Sequence, residues 1–167
     1  MSMNGEYVRL TPDELERVIG DHEWATALVE KLMDADARRR PGSAEARCHG
    51  TDKAWDAIGF LTRRAGFLVD IVHGEEQVPW GEDWGYGPPR YLSPDRVRTA
   101  AEAMAETGAD RLVEGVGPAD LTAAEVYPVG IWERDDSLEY ATGHYEALVP
   151  FFRSAAEAGD AILVWLS

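Results

Sequence analysis

Hydrophobic residues recur every three or four positions along most of the chain, and this spacing predicts a mostly helical protein. Two helices also have start signals: Thr11 and Glu14 form a capping box, and Ser93 is followed by Pro94. Short helical pieces are expected at 109–116 and 118–125. The clearest hydrophobic stripes are Leu15, Val18 and Ile19; Trp24, Leu28 and Leu32; Trp55, Ile58, Leu61 and Thr62; Val97, Ala100, Ala101 and Met104; and Leu138, Ala141, Tyr145, Leu148, Phe152 and Ala155.

Residues that leave the helical conformation mark the breaks between these helices. Gly20 and Asp21 separate the first two, and Pro41 follows three arginines whose charge stabilises the carboxyl end of the second. Pro150 predicts a kink or a restart in the last helix because it removes a backbone donor. Three further expectations are that Thr51 or Asp52 caps the third helix, that Gly66 ends it, and that Gly108 caps the fourth in the left-handed conformation.

Three segments predict β-strands. Glu6 to Leu10 alternates, Tyr91 and Leu92 end a short strand, and Ala161 to Leu166 is continuously apolar, as expected for a buried central strand between the other two. Phe67 to Val72 is ambiguous, and we expect a short buried helix there. Residues 41–50 are expected to be a polar connection. The pattern therefore predicts an α+β fold: one mostly helical domain over residues 1–167, with a small sheet of about three strands from the N-terminal, middle and C-terminal parts.

The first half of the stretch from Pro79 to Asp95 has too many glycines and prolines for a helix or a central strand, so it must hold its aromatic residues in irregular backbone. The second half leads into the strand at Tyr91 and Leu92 and into the helix that starts at Ser93. We identify it as an ordered loop and as the candidate binding surface. Two interpretations compete. The rings pack against the core as anchors, or one or two stay exposed beside carboxylates and bind a protein partner, a cation or a sugar. The candidate binding residues are Trp80, Glu82, Asp83, Trp84, Tyr86 and Arg90, the last of which is expected to pair with a local carboxylate.

The formal net charge of −15 is the largest departure from an average composition. Such a charge repels phosphate backbones and anionic lipids, so neither nucleic acid nor a membrane surface is an expected partner. The charge is uneven: no basic residue lies between Arg64 and Arg90, an interval that contains Asp70, Glu75, Glu76, Glu82 and Asp83. This segregation serves solubility or attracts a basic protein surface.

Cysteine and histidine usage argues against a metal or redox site. Cys48 is the only cysteine, which excludes an internal disulfide and a thiolate metal cage. No two of the four histidines (His22, His49, His73 and His144) have the spacing that places two ligands on one helical face. We see no phosphate-binding or dinucleotide motif and expect no cofactor. Without a signal sequence or a membrane-spanning apolar run, the expected compartment is the cytoplasm.

One histidine is a weak catalytic candidate. His73 is followed in a predicted turn by Gly74, Glu75 and Glu76, so an imidazole lies near two carboxylates. Such a group can act as a general base. The alternative is a solvated polar turn with no chemical activity.

Several motifs resemble the YfbM-like bacterial family of unknown function. They are Asp52-Lys53-Ala54-Trp55, the segment from Tyr86 to Pro94 followed by Val97, Tyr127-Pro128 with Trp132, and the terminal segment from Ala158 to Leu163. The segment from Tyr86 to Pro94 is the most specific. The resemblance implies a small α+β domain of the bacterial cytosol and no established activity. Gly59 stands where members of the family often have a histidine, which counts against catalysis built on that position.

The sequence thus favours a non-catalytic binding module whose acidic, aromatic surface around residues 70–90 recognises a basic protein partner. The rival hypothesis is a hydrolase-like enzyme for small polar substrates, with a cleft near His73, Glu75, Glu76 and Asp83. A third is a structural or oligomer-forming domain, since a homo-oligomer is compatible with everything above.

Overall fold

The computed structural model describes residues 2–167 and has an α+β fold. One antiparallel sheet has the strand order β2-β1-β5-β4-β3. Its strands are β1 (Gly5–Leu10), β2 (Cys48–Asp52), β3 (Glu76–Gln77), β4 (Arg90–Leu92) and β5 (Ala161–Leu166). The helices of the described part are α1 (Pro12–Gly20), α2 (His22–Arg39), α3 (Trp55–Arg64), α4 (Pro94–Glu106), α5 (Ala109–Leu112), α6 (Pro118–Ala123) and α7 (Ser137–Ala158).

The central position of β5 confirms the prediction from its apolar composition. It pairs with β1 from Ala161 opposite Leu10 to Leu166 opposite Gly5, and with β4 on its other side. The sheet has five strands and not about three, because β2 and β3 were missed. β2 lies partly in the expected polar connection, and β3 is two residues long, so neither leaves a hydrophobic pattern in the sequence.

Both faces of the sheet are covered. Tyr7, Leu92 and Val164 belong to the larger core, which is completed by residues of α3, α4 and α7. Val8 and Leu163 belong to a second core formed with α1 and α2. Alternate residues of β1 and β5 thus serve opposite cores, as the two-residue repeat of a strand requires.

Two of the three predicted helix starts are confirmed. Thr11 and Glu14 form the capping box of α1, and the Ser93 hydroxyl accepts a hydrogen bond from the Arg96 N–H at the start of α4. The predicted cap of α3 is wrong, because Thr51 and Asp52 still belong to β2 and Ala54 occupies the cap position.

Two further helix-end predictions concern glycines. Gly66 follows the last turn of α3 with a φ of +87°, as expected. Gly108 has a φ of −68° and precedes α5, so it is not a left-handed cap; α4 ends at Glu106, and Thr107 is its cap residue. The helical stripe did locate α4, but the glycine belongs to the start of the next helix.

The short helix expected at residues 67–72 is absent from the described structure, which has an irregular turn there. Gly66 and Gly74 flank this turn with positive φ, and Asp70 accepts the N–H groups of Val72 and His73. A side-chain acceptor that captures backbone donors in this way competes with helix formation.

Pro150 does not restart the last helix, because α7 continues from Ser137 to Ala158. A proline within a helix costs about 3 kcal/mol. Phe151 and Phe152, which follow it, are fully buried, so the packing of this helix compensates for the lost hydrogen bond.

Candidate functional site

A cleft of about 480 Å³ lies between the turn around His73, residues 81–90 and the last residues of β5. Val164, Trp165 and Leu166 supply its apolar lining. Its polar lining comes from Asp70, His73, Gln77, Tyr86 and Arg90. An apolar floor with a few polar groups is the usual composition of a ligand site.

Asp70 holds His73 in a defined orientation. The Asp70 Oδ1 atom accepts the N–H groups of Val72 and His73 at 3.0 and 2.9 Å, and its Oδ2 atom lies 3.2 Å from His73 Nδ1. Partial burial by itself raises the pKa of Asp70, but the hydrogen bonds from His73 and Val72 and the charge of His73 outweigh it and lower the pKa to about 2. Asp70 is therefore ionised near neutral pH.

An ionised Asp70 requires a proton on His73 Nδ1, which leaves Nε2 unprotonated in the neutral ring. Nε2 has no hydrogen-bond partner among residues 2–167, and the His73 side chain is 42% exposed. The Trp55 ring and the imidazole pack in a T-shaped arrangement, with the ring centroids 5.8 Å apart. In the neutral ring, His73 Nε2 is thus an acceptor that no other group of residues 2–167 occupies.

The two tryptophans of the aromatic loop, which runs from Pro79 to Pro89, anchor this loop to α1 and α2. Trp80 Nε1 donates to the backbone oxygen of Val18 at 2.9 Å, and Trp84 Nε1 donates to His22 Nε2 at 3.2 Å. Both rings are half-buried and pack against the core between the sheet and these helices. Trp84 also meets the ring of Trp165 edge-on.

Backbone contacts fix the remainder of the loop. Asp83 Oδ1 accepts the N–H groups of Gly85 and Gly87, and the Tyr86 N–H donates to the Leu166 oxygen at 3.0 Å. A Cβ atom on Gly85 would lie 2.6 Å from that same oxygen, so the close approach requires glycine. The loop is a preformed wall of the cleft.

The predicted site residues separate into two groups. His73, Tyr86 and Arg90 line the cleft together, whereas Trp80 and Trp84 lie outside its lining. Tyr86 is 42% exposed and is the loop aromatic that faces solvent most. Among residues 2–167, Arg90 forms no ion pair, although a local carboxylate partner was expected.

None of the acids predicted as site residues pairs with His73. Glu75 binds Arg96 at 2.7 Å, so it is not the partner of His73. Glu76 lies exposed on β3, and Glu82 is exposed on the loop. The acid that orients His73 is Asp70, which was predicted only as part of the acidic interval; the signal in the sequence was its Asp-x-x-His spacing in a turn.

Other titratable groups do not add to this site. Burial raises the pKa of the Cys48 thiol to about 12, so this cysteine is protonated near neutral pH.

Within residues 2–167 there is no group of three or more side chains suited to bind a metal ion. None of the described helices combines the length and apolarity needed to span a bilayer.

Comparison with known proteins supports the fold and assigns a family. Among curated proteins, none matches this chain. YfbM from Escherichia coli, a protein of unknown function with a crystal structure, has a TM-score of 0.65 and 14% identity over 98% of this chain and 99% of its own. A family model described as a domain of unknown function (DUF1877) matches residues 1–165. Since that match covers nearly the whole chain, the protein belongs to the DUF1877 family, and the resemblance to YfbM is confirmed.

Proposed function

We propose that this protein is a binding module that holds a small ligand with a negatively charged group in the cleft beside His73. The observation that carries the proposal is Arg90, a guanidinium without an ion pair in the described chain that lines the same cleft as the oriented imidazole. Guanidinium groups bind carboxylates and phosphates through paired N–H donors. Tyr86 and Trp165 offer apolar surface for the remainder of the ligand.

The rigid loop supports binding in a preformed site. Both indole N–H groups and the Asp83 carboxylate already have partners within the chain, so the loop is ordered before the ligand binds. Binding therefore carries little further entropy cost for ordering the loop. The carboxylate nearest the imidazole, Asp70, is likewise occupied by three donors and leaves Arg90 free to meet an anion.

The test is NMR titration with inorganic phosphate and with citrate, with glycerol as the neutral control. We expect the amide signals of Gly81 and Gly87 to shift with the anions and not with glycerol. Arg90→Gln should weaken the response about tenfold, as for the loss of a charge-assisted pair. Arg39→Gln removes the same charge from the exposed end of α2 and should leave it unchanged. Equal responses of the two variants, or no shift, would refute the proposal.

A basic protein partner is a second candidate, supported by the exposed carboxylates of Glu76 and Glu82. A pull-down at low salt should recover a partner that high salt releases, because exposed charge pairs are screened. Replacing Glu76 and Glu82 by Gln should remove this capture. The same change at Glu23 and Glu30, which are exposed on α2, should not. This candidate would be contradicted if capture did not change with salt concentration, or if the Glu76/Glu82 and Glu23/Glu30 variants lost capture equally.

A third candidate, favoured by the Asp70–His73 pair, is hydrolysis of the bound ligand. His73 Nε2 would take a proton from water as the water oxygen attacks an ester and would return it to the leaving alcohol. With p-nitrophenyl acetate and p-nitrophenyl phosphate as probes, His73→Asn should abolish any turnover and Asp70→Asn should lower it. A rate that survives in His73→Asn would exclude this mechanism.

A further inference from the structure

Leu68 is the most exposed large hydrophobic residue of the described chain, with 80% of its surface accessible. It is not on a loosely held loop. Its backbone oxygen accepts a hydrogen bond from Arg96 Nη2 at 2.9 Å, and Arg96 is itself held by Glu75. The next residue, Val69, is buried at 4% exposure. The fold therefore fixes the backbone at Leu68 and exposes its side chain to water, so burying this side chain by association requires no ordering of the backbone.

A groove of about 280 Å³ adjoins this leucine. It lies between residues 65–69 and α4, where Thr99, Ala103 and the cap residue Thr107 provide short side chains. Its size exceeds that of a leucine side chain. Leu68 is thus an exposed apolar side chain directly beside a depression that has room for another one.

The same groove contains one acid and one base. Glu106 and Arg111 both line it and are exposed, and neither forms an ion pair within residues 2–167. One surface therefore combines a projecting leucine, a recess and both charge signs. A twofold axis converts such a surface into a closed interface, in which each contact occurs twice.

We propose that this groove binds a second copy of the same chain, forming a twofold symmetric dimer. Leu68 of each copy lies over the groove of its partner, and Glu106 of each copy faces Arg111 of the partner. We choose a second copy as the occupant because the groove holds an acid and a base that form no ion pair within residues 2–167, so a twofold axis would place opposite charges together, and because the leucine stands beside a recess larger than its own side chain. This proposal is independent of the cleft beside His73.

Analytical ultracentrifugation from about 1 to about 200 µM tests the dimer by mass action. We expect a dimer whose dissociation constant rises at least tenfold in Leu68→Glu, which places a charge in the apolar contact. Val129→Glu is the matched control, because Val129 is 74% exposed and lies outside the groove. That variant should dimerise like the parent protein. Thermal unfolding should show that both variants fold.

Charge reversal supplies the second arm. Glu106→Arg and Arg111→Glu should each weaken the dimer by placing like charges opposite one another, and the double variant should restore it. A parent protein that stays monomeric throughout the range would overturn the proposal, as would equal loss in the Leu68 and Val129 variants. A double variant weaker than both single variants would refute the Glu106–Arg111 pairing and the orientation it defines.

Discussion

The aromatic loop from Pro79 to Pro89 and the turn from Asp70 to Gly74 both contribute to one cleft, but they use their polar atoms differently. In the loop, the indole N–H groups of Trp80 and Trp84 and the carboxylate of Asp83 all bind other parts of the chain. In the turn, one ring nitrogen of His73 is held by Asp70 while the other has no partner in the described chain.

A conspicuous cluster of aromatic residues thus marks where this loop is anchored, and the groups that are available to a ligand lie elsewhere in the cleft. Large rings are the most efficient anchors because each one buries much apolar surface. Groups that remain free to meet a ligand are those whose hydrogen-bonding capacity the fold leaves unused. In this cleft they are His73, Tyr86 and Arg90.

Removing an anchor should destabilise the protein more than any other change to this loop. Trp84→Ala deletes a half-buried ring and its bond to His22, and should lower the free energy of unfolding by about 2–4 kcal/mol. Urea denaturation measures this value. Trp84→Phe keeps most of the packing and should cost about 1 kcal/mol, the value of the hydrogen bond. If Trp84→Ala cost no more than an exposed-site substitution, the loop would not be anchored as described.

The next effect concerns the contact between the loop and β5. Gly85→Ala forces a Cβ atom to within 2.6 Å of the Leu166 oxygen at a φ of +144°, so we expect a loss of about 2–3 kcal/mol. Gly81→Ala is the matched control, since its φ is +61° but nothing lies within 4 Å of the added atom. Its cost should be about 1 kcal/mol from backbone strain alone. Equal losses in urea would mean that the close approach does not constrain the loop.

The sequence predicted the elements whose signals are local. The capping box at Thr11, the Ser93-Pro94 start of α4 and the apolar run of β5 each depend on a few adjacent residues, and all three are confirmed. It missed β2 and β3, because an edge strand without an apolar face has no periodic pattern.

The candidate site was also only partly predictable, because some of its contacts join residues that are far apart in the sequence. His73, Tyr86 and Arg90 were named from residue type and position. That Trp80 reaches Val18, 62 positions away, depends on how α1 and the loop pack together, and no local pattern encodes this. Asp70 was the one missed partner with a local signal, but its position in an apolar run suggested a helix and concealed the turn that brings it to His73.

Acid pH should affect the turn through Asp70. Because the folded pKa is lowered from 3.8 to about 2, the ionised carboxylate stabilises the fold above pH 3.8, and this contribution is lost as the pH falls towards 2. The side chain is 45% exposed, so solvent screening limits the contribution to about 1 kcal/mol. Asp70→Asn should remove this pH dependence, measured as the difference in unfolding free energy between pH 5 and pH 2.

His49 provides a control in a separate pH range. Burial, with a smaller effect from His144, lowers the pKa of His49 below 6.5. The unfolded chain therefore takes up this proton first, and stability declines as the pH falls below 6.5, before Asp70 is protonated. His49→Gln should flatten that upper part of the profile only. If Asp70→Asn instead changed the stability profile just below pH 6.5, the assignment of the two pH ranges to Asp70 and His49 would be wrong.

The smallest effect on stability should come from Tyr86, although it belongs to the same loop as Trp84. Its ring is exposed and only its backbone N–H binds the chain, so Tyr86→Ala should change the free energy of unfolding by about 0.5 kcal/mol or less. The same variant should weaken the NMR response to citrate, because the ring lines the cleft. A large loss of stability would instead make Tyr86 a third anchor of the loop. The tryptophans that fix the loop could then no longer be distinguished from the exposed residues that are proposed to bind the ligand.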